Sequence, residues 1–253
     1  MAAKHLLSIA ELTDEQAAMV QGLHEKFPDF NDGDILGYLQ YRYWDVAQAE
    51  AQMKTTQGYR KSHKPTIADV APFMLPAPGC SAPDGCQVLC EDMQGGCLKD
   101  NEGRLVILWI GLVHGTMAEQ LEQQAYLCRR ARLYAEPGKT MRLCTVIESK
   151  GRGGGSRVSF RFPDKGSKAL MDAQKQHFPA TQFGAATHIC GVPRAVQWAF
   201  ALMRPFMTKQ AYDALLLRTD FSHLPKHLPA SSLLKEWGGE VEFDVVNPLN
   251  PTP

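Results

Sequence analysis

The sequence predicts an α/β protein: a mixed, mostly parallel sheet with helical cover, preceded by a small three-helix N-terminal module. Three observations predict this architecture. Capping motifs begin helices in the first quarter of the chain, a proline-rich stretch follows, and apolar runs then alternate with helical patterns. Strands that alternate with helices are typical of parallel or mixed sheets covered by helices.

Three helices are predicted before residue 64. Capping boxes are predicted at Thr13–Gln16 and Asp45–Gln48. In a capping box, the side chain of each of the two residues accepts a hydrogen bond from the backbone N–H of the other. Asp32 is expected to cap the helix between them, because apolar residues at helical spacing follow it. The helices are expected to end near Lys26, Tyr43 and Lys61. Residues 1–64 are therefore predicted to form the N-terminal module.

Residues 65–86 contain five prolines and are predicted to be a linker or a long surface loop. Residues 87–247 are predicted to form the second domain. Its strands are expected at Leu105–Val113, Arg142–Ile147 and Ala186–Val192, where apolar residues run almost without interruption. Its helices are expected at about 117–134, 164–177 and 194–204, with the chain continuing after Pro205 through Thr208–Leu217.

Charge and composition exclude several classes of protein. Lysine plus arginine and aspartate plus glutamate both number 27, and this balance argues against a nucleic-acid partner, which usually selects a basic excess. Met1–Ala10 does not have the pattern of a signal peptide, and no apolar run approaches the ~18 residues of a transmembrane helix. A cytoplasmic protein, expected to be a monomer with at most peripheral membrane contact, fits these features.

No motif predicts catalysis, a metal or a cofactor. The glycine-rich loop Gly151–Gly155 does not match a phosphate-binding pattern, and neither a nucleophile elbow nor a metalloprotease motif is present. Four of the seven cysteines lie between Cys80 and Cys97, but only Cys86 and Cys90 have the spacing of zinc ligands. We therefore do not expect an enzyme, and a cysteine-based activity at Cys80–Cys97 is the remaining catalytic alternative.

The most informative feature is an excess of apolar residues in the last third of the chain. Large apolar side chains surround most of one predicted helical turn at Trp198, Phe200, Leu202, Met203 and Phe206. A helix that is apolar on more than one side is either buried or faces an apolar ligand or a membrane. The segment therefore indicates either core packing or contact with a lipid.

Seven short motifs occur in order between residues 28 and 240. They are Asp34–Glu50, Arg60, Asp100–Arg104, Val146–Gly151, His177–Pro179, Arg204–Phe206 and Leu233–Gly239. In this order they resemble the CRAL-TRIO family of lipid-binding proteins, which includes phospholipid, tocopherol and retinoid carriers. The resemblance implies a sheet with a hydrophobic pocket that holds one apolar molecule and exchanges it at membranes. It also implies a movable helical lid, Arg194–Leu217, with Pro205 as a natural break.

Eight ligand-binding residues follow from the resemblance together with the alternation of side chains along a strand. The strands are expected to contribute Ile107, Trp109, Leu143 and Thr145, and the lid Trp198, Leu202, Phe206 and Leu215.

Three substitutions relative to the family bear on the ligand. Ala180 and Ala214 stand where phosphoinositide-binding relatives carry a carboxylate and a lysine, and of two hydroxyl positions used by choline-lipid binders only Thr145 remains, beside Leu143. The ligand is therefore expected to be a phospholipid or another small hydrophobic molecule, and the two side chains that hold the inositol phosphate headgroup in relatives are absent. A carrier of a rigid apolar molecule such as a sterol, tocopherol or retinoid is one alternative, and an interaction module with a filled cavity is another.

Overall fold

The computed structural model describes residues 8–62, 75–76, 87–89, 97–110, 136–148, 172, 175–177, 179, 186–202, 204–206 and 212–241. The helices are α1 (Asp14–Lys26), α2 (Asp32–Tyr41), α3 (Val46–Ser62) and α4 (Arg194–Leu202). The strands are β1 (Leu75–Pro76), β2 (Gln87–Leu89), β3 (Leu105–Ile110), β4 (Leu143–Glu148), β5 (Ala186–Cys190) and β6 (Leu215–Leu217).

The predicted helix starts are close to the observed ones. The capping box of α1 is complete: the Gln16 amide N–H donates to the Thr13 hydroxyl at 3.3 Å, and the Thr13 N–H donates to the Gln16 side chain at 3.1 Å. The predicted cap of α2 is wrong by one residue, because Asn31 accepts the N–H of Asp34 at 2.7 Å and Asp32 is already helical. Asn31 has the extended backbone that an N-cap needs.

Helices α1 to α3 pack into one apolar core and also contact residues 175–177, which are helical. The Tyr38 hydroxyl donates to the His177 carbonyl at 3.0 Å, and the Gln52 amide donates to the Lys175 and Gln176 carbonyls at 3.0 and 2.9 Å. The Tyr59 ring stacks on His177 with centroids 4.0 Å apart. Side chains of the N-terminal module therefore supply hydrogen-bond donors to the backbone carbonyls of residues 175–177.

Within the described residues, the sheet has six strands that lie side by side in sequence order. β2 is antiparallel to both of its neighbours, β1 and β3, whereas β3, β4, β5 and β6 run parallel. The predicted mixed, mostly parallel sheet is therefore confirmed. Its register aligns Ile107 with Thr145, Thr145 with Thr187, and Thr187 with Leu215.

Two predicted segments differ from the structure. Leu215–Leu217, predicted as part of a helical lid, is strand β6, because the free edge of β5 supplies hydrogen-bond partners to this run of three leucines. Leu75–Pro76, predicted within an irregular linker, is the edge strand β1, a place where proline is tolerated because one side of the strand needs no ladder bonds. The predicted boundaries at 64, 86 and 247 lie outside the described residues.

Several further predictions fall on residues beyond the described ranges. They are the helix at 117–134, the loop Gly151–Gly155, most of the helix at 164–177, Ala180, and the cysteines Cys80, Cys86 and Cys90.

One face of the parallel strands is closed by the C-terminal segment. Alternate strand residues, among them Val106, Val146 and Cys190, are fully buried against this segment, to which they are joined in one core. The segment contributes Leu224, Leu228, Leu233, Leu234 and Trp237. Alternation along each strand therefore places the remaining residues on the opposite face.

A group of three histidines lies where the C-terminal segment meets the closed face. His188 is fully buried, and its Nδ1 lies 3.1 Å from Nε2 of His223, while the His227 ring centroid is 4.9 Å from that of His188. Burial lowers the pKa of His188 to about 4, helped by His223, His227 and Arg104 and opposed by Asp100. Burial also lowers the pKa of His223 to about 4, helped by Arg218 and opposed by Asp220. Between about pH 6.5 and pH 4, His188 and His223 are therefore neutral in the folded protein and protonated in the unfolded chain.

The free energy of unfolding is expected to fall as the pH is lowered from 6.5 to 4. An unfolded histidine takes up a proton below about pH 6.5, whereas folded His188 stays neutral until about pH 4, so acid favours the unfolded chain. For His188 alone the loss is on the order of 3 kcal/mol. Urea titrations of wild type and His188→Leu across this range measure it. Equal pH dependence in both proteins would contradict the assignment.

Candidate ligand-binding face

The face of the sheet opposite the closed core is formed by the alternate residues of β3 to β6. We call this set the aliphatic face: Leu105, Ile107, Leu143, Thr145, Ile147, Thr187, Ile189, Leu215 and Leu217. Ile107 and Leu143 are buried, at 3% and 4% exposure, whereas Thr145, Thr187 and Leu215 are half-buried. The face carries no charged side chain among the strand residues that the structure describes.

The strand residues predicted to contact a ligand share this parity. Ile107 and Thr145 are direct neighbours in register, and Leu143 lies beside Leu105. The backbone of Trp109 pairs with Ile147, which puts Trp109 at the corresponding register position on β3. Contact between these residues and a ligand stays a prediction.

Leu215 occupies a different element from the one predicted. We expected it to approach the ligand from the lid, but it lies in strand β6, in register with Thr187. It therefore extends the aliphatic face by one strand. Ala214, just before it, accepts the N–H of Thr187 at 2.7 Å through its carbonyl and offers no side-chain cation.

Thr187 is a polar residue of this face that was not among the predicted site residues. It lies within a predicted strand, but its neighbour Thr145 is 42 residues earlier and the pairing of the two depends on strand order and register. The alternation of buried and half-buried residues in β5 is consistent with its parity. Only the assembled sheet brings the two hydroxyl side chains together.

Helix α4 begins four residues after β5 ends and presents apolar side chains to the exterior. Trp198 is 77% exposed and Leu202 is 76% exposed, although both are large and apolar. The opposite side of the helix is attached through Phe200, which stacks on Tyr212 at a centroid distance of 5.1 Å, and through Gln197, whose side chain donates to the Val192 carbonyl at 3.1 Å. Ligand contact by Trp198 and Leu202 stays a prediction, and it requires α4 to move from this position.

Phe206 follows α4 in a short 3-10 helix, Arg204–Phe206, that contains Pro205. The predicted break at Pro205 therefore coincides with the end of α4 at Leu202 and the change of helix type. The contact between Phe206 and a ligand stays a prediction.

Charged groups gather elsewhere, at the ends of β3 and β4 nearest the N-terminal module. A cleft of about 420 Å³ lies there, lined by residues that include Glu11, Lys99, Glu102, Lys139 and Arg142. Its lining includes acidic and basic side chains, so it differs in character from the apolar chamber predicted for the ligand.

The buried thiols of the sheet lie on the closed face. Burial raises the pKa of Cys144 and of Cys190 to about 12, so both remain protonated and poorly nucleophilic near neutral pH. Within the described residues, no group of three or more histidine, cysteine or acidic side chains is arranged to hold a metal ion. No described helix has the length and apolarity needed to cross a bilayer.

Comparison with known proteins identifies the architecture. The crystal structure of Sfh5 superimposes with a TM-score of 0.55 at 13% sequence identity, covering 93% of this chain and 76% of that one, a likeness that shows the fold. No curated protein sequence matches the chain. The sequence profile of the CRAL/TRIO domain matches residues 94–239, which is more than half of the chain. The chain therefore belongs to the CRAL/TRIO domain family.

Proposed function

We propose that the protein binds one small hydrophobic molecule against the aliphatic face and exchanges it at membrane surfaces. The CRAL/TRIO family binds small hydrophobic lipids. The observation that carries the proposal for this chain is a wall of four parallel strands that is free of charge among its described residues, beside a helix whose outer side is apolar. A phospholipid, a sterol, a tocopherol and a retinoid all meet this description.

The free-energy cost of exposing a lipid tail to water explains why a carrier needs an apolar binding surface. Each methylene group held in water costs about 0.8 kcal/mol relative to an apolar surrounding, so a lipid tail leaves a bilayer only when an equally apolar site receives it. A ligand drawn from a membrane then gains little from burial itself. Its selection depends on pocket shape and on the few polar groups of the wall.

Helix α4 supports the proposed membrane contact. Trp198 and Leu202 are four residues apart and therefore lie on the same side of the helix, where both are exposed. Exposed apolar groups of this size mark contacts with membranes or partners, and tryptophan suits the bilayer interface because its ring is apolar and its N–H is polar. We propose that this side of α4 enters the interface during exchange, at the cytoplasmic side of a membrane and as a monomer.

The proposed activity is the binding and transfer of a hydrophobic molecule, without catalysis or a cofactor. The thiols of Cys144 and Cys190 are held protonated in the closed core. Organic extraction of the purified protein followed by mass spectrometry would identify a retained ligand. A protein that binds no apolar probe and retains no lipid would favour the alternative function, an interaction module with a filled cavity.

The variant Trp198→Ala/Leu202→Ala is expected to weaken binding to phosphatidylcholine vesicles by at least about tenfold, because two large apolar side chains no longer enter the bilayer. Sedimentation with the vesicles measures the partition. The stability of the protein should be unchanged, since both side chains are exposed. Tyr43→Ala is the matched control, because Tyr43 is 91% exposed but lies in the N-terminal module. Equal losses in both variants would refute the role of α4.

A further inference from the structure

The charged cleft borders one end of the aliphatic face. Leu105 is the first residue of that face on β3, and it also lines the cleft of about 420 Å³. Lys99 lines the same cleft and pairs with Leu105 in an isolated antiparallel bridge. Residues directly opposite each other in an antiparallel pair have their side chains on the same side of the sheet. The Lys99 side chain therefore lies on the side of the aliphatic face, at its edge.

The burial of the preceding residue supports this placement of Lys99. Leu98 is 1% exposed and belongs to the closed core together with Val106. Because side chains alternate along an extended chain, the Lys99 side chain has the opposite orientation. Lys99 is half-buried, and its backbone N–H donates to the Ser232 hydroxyl at 3.0 Å. The edge of the aliphatic face beside Leu105 thus carries an ammonium group whose main chain is held in place.

Two of the three acidic side chains of the cleft have cations of their own. Glu136 pairs with Lys139, and Glu102 Oε1 accepts a hydrogen bond from Arg104 Nη2 at 3.0 Å. Within the described residues, the Lys99 ammonium takes part in no ion pair and no hydrogen bond. A ligand can therefore engage Lys99 without displacing an existing salt bridge.

We propose that Lys99 binds the carboxylate of an apolar monocarboxylic acid whose hydrocarbon body lies against the aliphatic face. This inference rests on the proposed function and adds the chemical class of the ligand. A lysine ammonium carries three donors, and its hydrogen bonds to a carboxylate are stronger than those between neutral groups. Leu105 and Ile107 continue from this point along β3, so one molecule meets a cation at its end and hydrocarbon along its length.

This anion site is distinct from the headgroup position of phosphoinositide-binding relatives. Ala214 stands where those relatives carry a lysine, and it precedes β6, which is three strands away from β3 in the sheet. Lys99 lies instead at the first residue of β3, on the side of that strand away from β4. The two positions are therefore at different strands of the same sheet.

The charges of the cleft favour a ligand with one negative charge over one with two. Glu11, Glu102 and Glu136 line the cleft together with Lys99. The hydrogen bond and charge of Lys139, and then the charge of Lys99, lower the pKa of Glu136, so Lys99 and Glu136 already attract each other. A carboxylate matches the single ammonium. A phosphate monoester would bring a second negative charge toward the same acidic side chains, which repel it.

The test uses three fluorescent probes that differ in one group: pyrene on an alkyl chain that ends in a carboxylate, a hydroxyl or a phosphate. Binding at neutral pH is titrated by fluorescence to wild type, Lys99→Gln and Lys99→Arg. Wild type should bind the carboxylate probe about tenfold more tightly than the hydroxyl probe, and also more tightly than the phosphate probe. Lys99→Gln should lose this preference and bind the hydroxyl probe like wild type, whereas Lys99→Arg should retain it because the charge is kept.

Lys54→Gln is the control, because Lys54 is exposed on α3 in the N-terminal module and does not line the cleft. It should keep the preference of wild type. Equal binding of the carboxylate and hydroxyl probes by wild type would overturn this inference alone. The same holds for a preference that survives in Lys99→Gln, for an equal loss of both probes in that variant, and for tightest binding of the phosphate probe. Failure of all three probes to bind would overturn the proposed function as well.

Discussion

Replacing Thr145 with arginine is expected to abolish the loading of an apolar ligand while the protein stays folded. Thr145 is half-buried in the row Ile107–Thr145–Thr187–Leu215, so a guanidinium there would project into the space that a ligand would fill. A charge held against a hydrocarbon surface without a partner is costly to desolvate. Binding of pyrene-labelled alcohol measures the loss, which should exceed about a hundredfold.

Thr145 suits this test better than its neighbour Leu143. Leu143 is 4% exposed, so arginine in its place would disrupt packing and stability along with any ligand contact. The control is Thr219→Arg, the same substitution at an exposed position just beyond β6. Circular dichroism verifies that both variants fold. If the Thr145 variant loads ligand normally, the ligand does not bind against the aliphatic face.

Replacing Arg104 with alanine is expected to lower the free energy of unfolding by about 3–5 kcal/mol. Arg104 Nε donates to Asp100 Oδ2 at 2.5 Å, and both side chains are buried. The other carboxylate oxygen, Oδ1, accepts the backbone N–H groups of Glu102 and Arg104 at 2.9 and 2.8 Å. Removal of the guanidinium would leave a buried carboxylate without its cation. Urea denaturation followed by circular dichroism measures the change.

An exposed ion pair supplies the comparison for Arg104. Lys26 Nζ and Glu50 Oε2 are 2.6 Å apart at the surface of the N-terminal module. Exposed ion pairs of this kind contribute about 0–1 kcal/mol to the free energy of unfolding. Lys26→Ala should therefore change the unfolding free energy by less than about 1 kcal/mol. A loss of that size in Arg104→Ala would show that the Asp100–Arg104 pair does not hold the turn before β3 together.

Local signals account for the parts of the fold that could be predicted. The capping box at Thr13 depends on groups three residues apart, so its atoms meet as soon as the helix forms. The Asp100–Arg104 motif is likewise local, because the carboxylate, the turn at Gly103 and the guanidinium lie within five residues. The strands at Leu105, Leu143 and Ala186 were predictable because continuous apolar runs are typical of strands covered on both faces.

Segments whose partners are distant in the chain were not predictable in the same way. The hydrophobic pattern of three consecutive leucines at 215–217 fits a short strand and a helix equally well. Their strand conformation depends on hydrogen bonds to the edge of β5. The parity of Ile107, Leu143 and Thr145 was available from the family resemblance together with the alternation of side chains along a strand. Their alignment with Thr187 and Leu215 was not, because register between strands is set by the whole sheet.

The sequence by itself determined the starts of α1 to α3 to within one residue, the apolar segments that form β3 to β5, and the family, because capping, hydrophobic runs and short motifs are encoded within a few residues of each other. Only the tertiary structure decided that α4 exposes Trp198 and Leu202. It alone placed Thr187 beside Thr145 and His188 beside His223. These outcomes depend on contacts between residues that are far apart in the chain, and such contacts exist only once the sheet and its covering segments have assembled.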